Sequence, residues 1–174
     1  MMSLKNNNIS IEGKNIVILG AGGASRIITM KLAKAKKANQ IIILNRTIEN
    51  AKEICDLVKS SLNIEIQFGE INRIEEYAEK TDVLINTTPL GMHGVDENFS
   101  DFTFLEKIEK GAVIDLIYNP KETTLLKKAN EMGLQTLNGL DMLIYQALFA
   151  DEIYLKQKLD FDELYATIRK KIEI

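Results

Sequence analysis

The 174-residue chain has few of the side chains that build disulfides, metal sites and basic surfaces. It contains one cysteine, Cys55, one histidine, His93, and no tryptophan. A single cysteine excludes an internal disulfide, which fits a reducing cytoplasm. One histidine and one cysteine leave too few ligands for a zinc site, so no metal is expected. The net charge of -3 argues against a nucleic-acid partner, which would require a basic surface.

Long apolar runs are also missing. No segment approaches the roughly 20 apolar residues of a membrane span, and the start, MMSLKNNN, lacks the apolar core of a signal peptide. We therefore expect a cytoplasmic protein with no membrane partner. The length, with 45% apolar and 27% charged residues, suits a single domain over residues 1–174, with residues 151–174 as a C-terminal helical extension.

Short apolar runs alternate with stretches of helical pattern along the chain. Several runs are too continuously apolar to face water, as expected of parallel strands that are covered on both faces. The alternation predicts an α/β fold, doubly wound and Rossmann-like, with a mostly parallel sheet and helices on both faces. We predict strands at residues 15–19, 40–44, 65–68, 83–86, 112–115 and 135–137, and helices at 24–35, 48–60, 74–79, 123–132, 141–156 and 161–172.

Local signals mark the ends of several elements. Gly133 is a suitable C-cap for the helix before it, and Asp160 opens the last helix in a pattern that resembles a capping box. The only prolines, Pro89 and Pro120, both follow a strand end. In open parallel sheets that carboxyl edge is where ligands bind.

The first predicted strand runs into a glycine-rich turn, and a helix follows at once. The turn contains Gly20, Gly22 and Gly23, and the usual third small position of the motif falls on Ser25. The first glycine allows the tight turn, and the second lets the backbone approach a pyrophosphate. Backbone N–H groups and the positive end of the helix dipole then favour phosphate binding. A structural turn with no ligand is the alternative.

The second predicted strand ends at Asn45, Arg46 and Thr47. NAD-specific domains usually carry Asp or Glu near this point to bind the ribose 2′-hydroxyl, but the first carboxylate here is Glu49. Arg46 offers a planar cation for a phosphate and for stacking on adenine, and Thr47 can cap the next helix. The pattern favours a cofactor with a 2′-phosphate; a solvated arginine beside an ordinary cap is the alternative.

Later strand ends carry small or polar residues. The segment NTTPLGMHG (86–94) could run along the nicotinamide half of a cofactor. Tyr118 would present a hydroxyl at the ligand edge, Gly139 could let the backbone touch a flat ring, and Gln146 lies about two turns into the following helix. Plain turns and a half-buried tyrosine are the alternatives. Met142 and Leu143 are expected to be core residues.

In order along the chain, these segments closely resemble the cofactor domain of shikimate dehydrogenases. The matching segments are GAGGASR (20–26), NRT (45–47), NTTPLGM (86–92), DLIYNP (115–120) with Thr123, and NG through QA (138–147). Members of that family reduce 3-dehydroshikimate to shikimate with NADPH in aromatic amino-acid and chorismate biosynthesis. The resemblance implies that this chain is an NADP-binding oxidoreductase domain.

The resemblance also implies a role for each matching residue. The pyrophosphate would be held by Gly20, Ala21, Gly22, Gly23 and Ala24, and the 2′-phosphate by Asn45, Arg46 and Thr47. Leu116 and Gly139 would border the nicotinamide, while Tyr118 and Gln146 would reach the substrate, shikimate or 3-dehydroshikimate.

The chain departs from the family pattern at three points. Ile27 stands where the family often has alanine, and Asn50 where it often has a second basic residue. The family's N-terminal substrate domain, with its catalytic lysine and aspartate, has no counterpart in this sequence. No catalytic residue is therefore assigned, and we expect the chain to share its substrate with that missing domain and to be inactive alone.

Other readings stay open. They are a quinate/shikimate-type paralogue that uses NAD, which a carboxylate near Arg46 would favour, and a nucleotide-binding regulatory module without catalysis. The sequence is also compatible with a homodimer.

Overall fold

A computed structural model describes residues 1–95 and 98–172 and contains one six-stranded parallel sheet. The strands are β1 (Asn15–Leu19), β2 (Gln40–Asn45), β3 (Gln67–Glu70), β4 (Val83–Asn86), β5 (Ala112–Asp115) and β6 (Gln135–Leu137). Their order in the sheet is β3-β2-β1-β4-β5-β6. This order confirms the predicted doubly wound, Rossmann-like fold. The strand order reverses between β1 and β4, and the crevice outside the carboxyl ends there is the usual ligand site of such sheets.

Helices connect the strands and cover the sheet. They are α1 (Met2–Asn6), α2 (Gly23–Ala35), α3 (Ile48–Leu62), α4 (Ile74–Ala78), α5 (Thr124–Glu131), α6 (Leu140–Leu155) and α7 (Phe161–Ile172). Short 3₁₀ helices occupy Ile71–Arg73 and Thr103–Lys107. No helix among residues 1–95 and 98–172 is both long enough and apolar enough to cross a membrane.

The four central strands, β1, β2, β4 and β5, are buried on both faces, which explains their nearly continuous apolar sequences. On one face Val17 and Leu19 join a core that includes Leu125 of α5. On the other face Ile16 and Ile18 join a core that includes Leu32 of α2 and Val58 of α3. Successive residues of a strand point to opposite faces, so an unbroken run of apolar residues serves both cores.

The third strand lies two residues later than predicted. The sequence suggested residues 65–68, whereas β3 begins at Gln67, which pairs with Ile42. Ile64 and Ile66 precede the ladder and pack against the core, so their hydrophobicity reflects burial rather than strand pairing. The remaining predicted strands keep their starting residues, and β2 extends one residue further.

The predicted helix ends are confirmed at two positions. Gly133 follows α5 with φ +76°, and its N–H donates to the carbonyl of Asn130 at 2.9 Å. A carboxylate oxygen of Asp160 accepts hydrogen bonds from the N–H groups of Asp162 and Glu163, each at 3.1 Å, at the start of α7.

The last two helices and α1 pack around a cluster of their own. Leu140, Ile144, Tyr145 and Leu148 of α6 form its buried part, and side chains of α1 and α7 pack against it. The expectation that Leu143 is a core residue is wrong, because α6 turns Ile144 and Leu148 toward α7 and leaves Leu143 39% exposed.

Candidate functional site

The glycine turn lies where the carboxyl ends of β1 and β4 meet. Gly20 has φ +99°, and its N–H donates to the carbonyl of Leu44 at 2.8 Å. A Cβ at Gly20 would lie 2.6 Å from Oγ1 of Thr87, so only glycine fits. The Thr87 hydroxyl in turn donates to the carbonyl of Leu19 at 2.7 Å. The loops after β1 and β4 are thereby joined at the point where the strand order reverses.

Open space lies in front of the first turn of α2. Gly22 is the N-cap of this helix, with no side-chain cap, and a Cβ at Gly22 or Gly23 would meet no atom within 4 Å. The first N–H groups of a helix have no partner within the helix, and together with the helix dipole they favour an anion. This uncapped turn fits a pyrophosphate whose approach requires backbone without side chains.

The residues next to these glycines differ in their burial and packing. Ala24 is exposed in the first turn of α2, whereas the side chain of Ala21 packs against the apolar cluster around Ile43. Ser25 is fully buried, and its hydroxyl has no hydrogen-bond partner. Ser25 therefore acts as the small residue that lets α2 pack closely on the sheet.

The end of β2 borders a cavity of about 510 Å³. The side-chain amide of Asn45 donates to the carbonyl of Thr47 at 2.8 Å, and Arg46 is exposed. Thr47 occupies the N-cap position of α3, but its side chain makes no capping hydrogen bond, which corrects that part of the prediction. The cavity also involves residues that follow β3 and β4, among them Ile71, Thr88 and Phe104.

Sequence reasoning missed two carboxylates beside this cavity. Glu75 and Asp101 line it together with Arg46, although both are distant from Arg46 in the sequence. A hydrogen bond from Lys107 lowers the pKa of Glu75, and one from Thr103 lowers the pKa of Asp101. The corresponding distances are both 2.7 Å. Both carboxylates are thus already engaged by neighbouring donors.

A buried polar network lies beneath the ends of β4 and β5. The amide of Asn86 donates to Oδ1 of Asp115 at 3.0 Å, and the hydroxyl of Thr123 donates to Oδ2 at 2.7 Å. Burial raises the pKa of Asp115 although these hydrogen bonds oppose the shift. In the sequence, Asn86 and Asp115 belong to segments that resemble the family, but neither was given an individual role; the available signal was a polar residue at the end of each apolar strand.

The two residues predicted to border the nicotinamide lie together. A Cβ at Gly139 would lie 1.9 Å from the carbonyl oxygen of Leu116, and the N–H of Gly139 donates to the carbonyl of Ile117 at 3.0 Å. The turn after β5 and the start of α6 therefore pack backbone against backbone. Any side chain at position 139 would force them apart.

The predicted substrate residues are open to solvent. Tyr118, after β5, is 50% exposed, and Gln146 on α6 is also exposed.

Two other reactive side chains are poor candidates for chemistry. His93 is exposed in the loop after β4. Cys55 is buried, and burial raises its pKa to about 11, so its thiol stays protonated. Within the described part of the chain, no group of three or more His, Cys, Asp or Glu side chains could hold a metal ion.

The parallel sheet, with a glycine turn where its strand order reverses, defines the Rossmann-like class of α/β domains. The model of one family, described as shikimate / quinate 5-dehydrogenase, matches residues 3–140. The chain belongs to this family.

Similar proteins carry the same family name. The shikimate dehydrogenase (NADP(+)) of Methanosphaera stadtmanae is 37% identical over 165 residues, which cover 94% of this chain and 58% of the relative. That of Methanococcus aeolicus is 42% identical over 153 residues, covering 87% of this chain and 53% of the relative. The chain therefore spans little more than half the length of these relatives.

Solved structures of the same family have a similar fold. A shikimate dehydrogenase in complex with NADP⁺ superposes with a TM-score of 0.81 at 37% identity, covering 98% of this chain and 59% of that one. Shikimate 5-dehydrogenase from Listeria monocytogenes, in complex with shikimate and NAD, gives a TM-score of 0.81 at 28% identity, covering 97% and 60%.

Proposed function

We propose that this chain is the NADP-binding domain of a shikimate dehydrogenase that interconverts 3-dehydroshikimate with NADPH and shikimate with NADP⁺. The observation that carries the proposal is the uncapped N-terminus of α2, with open space at Gly22 and Gly23. It lies at the strand-order reversal, and Arg46 borders the cavity at the end of the neighbouring strand β2. A pyrophosphate and a 2′-phosphate are the anions that these two features fit.

The cofactor roles follow the chain from β1 to β2. The segment 20–24 holds the pyrophosphate, and the donors are backbone N–H groups that follow Gly20, whose own N–H is bonded to Leu44. Asn45, Arg46 and Thr47 hold the 2′-phosphate, with Arg46 as the main contact. A charge-assisted hydrogen bond contributes about 1.5–3 kcal/mol, which corresponds to roughly a ten- to hundredfold gain in affinity for NADP⁺ over NAD⁺.

The remaining roles lie on the other side of the strand-order reversal. The nicotinamide supplies the hydride when the cofactor is bound. Leu116 and Gly139 border its ring, and Tyr118 and Gln146 bind the hydroxylated ring of the substrate from the exposed side. No residue of this chain is assigned the proton transfer, which a substrate domain provides.

That substrate domain is the partner that we propose for the exposed face of α6. About two-fifths of the length of each relative lies outside the region matched here. On α6, Phe149, Ile153 and Tyr154 are between 47% and 83% exposed. A helix that is apolar all round is normally buried, and this face continues along α6 from Gln146. We treat residues 1–174 as one domain, whose extension at 151–174 contributes this contact.

Calorimetric titration of the chain with NADP⁺, NAD⁺ and adenosine 2′,5′-bisphosphate tests the proposal. We expect NADP⁺ to bind at least about tenfold more tightly than NAD⁺, and the bisphosphate to bind without the nicotinamide half. Equal affinity for the two dinucleotides would contradict the NADP assignment and favour the NAD-using paralogue. Failure to bind any of the three would contradict the cofactor site itself.

A further inference from the structure

Asp115 is a fully buried carboxylate at the end of β5 that the roles above do not use. Its oxygens accept three hydrogen bonds, and each donor belongs to a different segment. Asn86, at the end of β4, donates at 3.0 Å, and the backbone N–H of Ile117 donates at 3.1 Å. The hydroxyl of Thr123, the N-cap of α5, donates at 2.7 Å. Asp115 thus joins a strand end, a turn and a helix start.

Joining segments through a buried carboxylate is unfavourable in free energy. Desolvation disfavours its charge, and an apolar side chain of similar size would avoid that cost. What the carboxylate adds is direction, because it is an acceptor only and fixes each donor that points at it. Each donor that Asp115 fixes therefore holds its own segment in place.

One of these segments, the turn that contains Ile117, leads to Leu116 and Gly139, the two residues proposed to border the nicotinamide. The N–H of Ile117 donates to Asp115, while the carbonyl of Ile117 accepts from the N–H of Gly139 at 3.0 Å. The same turn brings the carbonyl of Leu116 so close to Gly139 that no Cβ fits between them. Asp115 therefore sets the turn 116–117, and that turn sets the start of α6.

We propose that Asp115 is a positioning residue for the nicotinamide half of the site. On the basis of the proposed function, Asp115 holds Leu116 and Gly139 in the geometry that the nicotinamide ring requires. Asp115 touches neither cofactor nor substrate. Arg46 and the uncapped turn of α2 belong to other segments, so adenosine 2′,5′-bisphosphate binds without needing the turn 116–117.

The test compares two affinities in the same variants of this chain. Asp115→Ala removes every acceptor, and Asp115→Asn keeps the size and one oxygen acceptor. For each, the dissociation constants for NADP⁺ and adenosine 2′,5′-bisphosphate are measured by calorimetry. Unfolding of part of the sample weakens both affinities alike, so the ratio of the two constants reports on the nicotinamide half alone. Asp82→Asn is the control, because Asp82 binds Lys14 and the N–H of Asn15 at the opposite end of the strands.

We expect Asp115→Ala to raise the ratio of the NADP⁺ constant to the bisphosphate constant about tenfold, the scale of one lost hydrogen bond. Asp115→Asn should raise it less, and Asp82→Asn should leave it unchanged. An unchanged ratio in both Asp115 variants, or an equal change in Asp82→Asn, would overturn the inference. Wild-type chain that binds neither ligand would instead overturn the proposed function, and this inference with it.

Discussion

At the scale of single residues, the glycines of the first turn have separable tasks. Gly20 is required by conformation and space, since its φ is +99° and Thr87 lies where a Cβ would be. Gly22 has an ordinary φ of −87° and open space before it. A substitution at the first position should therefore affect folding, and one at the second should affect binding.

We predict that Gly20→Ala destabilises the chain by about 2 kcal/mol or more, because a Cβ at positive φ is strained and this one also meets Thr87. Gly22→Val should fold normally yet lose NADP⁺ binding, because its side chain fills the space for the pyrophosphate. Thermal unfolding followed by circular dichroism, together with calorimetric titration, separates the two effects. A natively folded Gly22→Val that binds NADP⁺ as the wild type does would show that the turn is not the cofactor site.

Arg46 determines the choice of cofactor in our proposal. Arg46→Ala should weaken NADP⁺ roughly ten- to hundredfold and change NAD⁺ affinity little, since only NADP⁺ carries the 2′-phosphate. Arg73→Ala is the matched control, because Arg73 is an exposed arginine paired with Glu76 on the helical segment after β3, where such pairs contribute little. An equal loss of both dinucleotides in Arg46→Ala would refute a phosphate-specific role.

At the scale of elements, α6 connects the proposed nicotinamide contacts to the proposed substrate contacts. It begins after Gly139 and carries Gln146 on an exposed face. Its position is fixed by Asp141, which is 1% exposed, accepts from Asn7 of the segment after α1 at 2.7 Å, and lies 3.2 Å from Nε of Arg169 on α7. The stacked rings of Tyr145 and Tyr165, 4.9 Å apart, add to this contact.

From this placement we predict a separation of substrate and cofactor effects. In an enzyme completed by fusing a substrate domain to this chain, Tyr118→Phe and Gln146→Ala should each lower turnover of shikimate and leave NADP⁺ affinity unchanged. Steady-state kinetics and calorimetry measure the two. Gln67→Ala, which alters an exposed glutamine of the edge strand β3, should behave as wild type. Normal kinetics in both site variants would mean that the substrate pocket lies elsewhere.

At the scale of the whole molecule, our proposal makes this chain one side of a cleft between two domains. It holds the proposed cofactor site, Tyr118 and Gln146 at one edge, next to an apolar face of α6 that includes Ile153 at 75% and Tyr154 at 83% exposure. Closure between two domains orients reactants and excludes water. The proposed substrate domain would cover the face and complete the cleft.

We predict that the chain alone shows no measurable reduction of NADP⁺ by shikimate, followed by absorbance at high protein concentration. The loss of proton transfer costs about 10²–10⁴-fold, and the loss of orientation adds to it. A substrate domain fused in cis should restore turnover. Turnover by the chain alone at a normal enzymatic rate, surviving extensive purification, would show an acid–base pair within these residues.

A second complementation experiment, with the substrate domain added as a separate chain, tests the exposed face of α6. Ile153→Lys should weaken complementation by a separately added substrate domain without changing NADP⁺ affinity, and Met132→Lys, at an exposed position just after α5, should not. Analytical ultracentrifugation of the isolated chain provides a second arm. A dimer that Ile153→Lys dissociates would show that a second copy, rather than a substrate domain, occupies the face.

The fold class and the position of most elements could be predicted from the amino-acid sequence alone. The runs at 15–19, 83–86 and 112–115 became β1, β4 and β5 with the predicted bounds, because nearly unbroken apolar runs bounded by turns suit strands buried on both faces. The short strand β6 at 135–137 also has the predicted bounds. The glycine turn and Arg46 could be predicted as candidate site residues because the pattern that indicates them lies in neighbouring residues along the chain. The assigned roles of these residues stay predictions.

Contacts between residues that are distant along the chain could be established only from the folded structure. The third strand begins later than predicted because Ile64 and Ile66, which are partly buried, pack against the core outside the strand ladder. Leu143 is exposed because α7 covers the other side of α6. The bonds from Asn86 and Thr123 to Asp115 span 29 and 8 positions of sequence, and Glu75 reaches the cavity of Arg46 only through folding. A local sequence pattern indicates which secondary structure and degree of burial each residue favours. Contacts between distant residues depend instead on how strands and helices are placed beside one another.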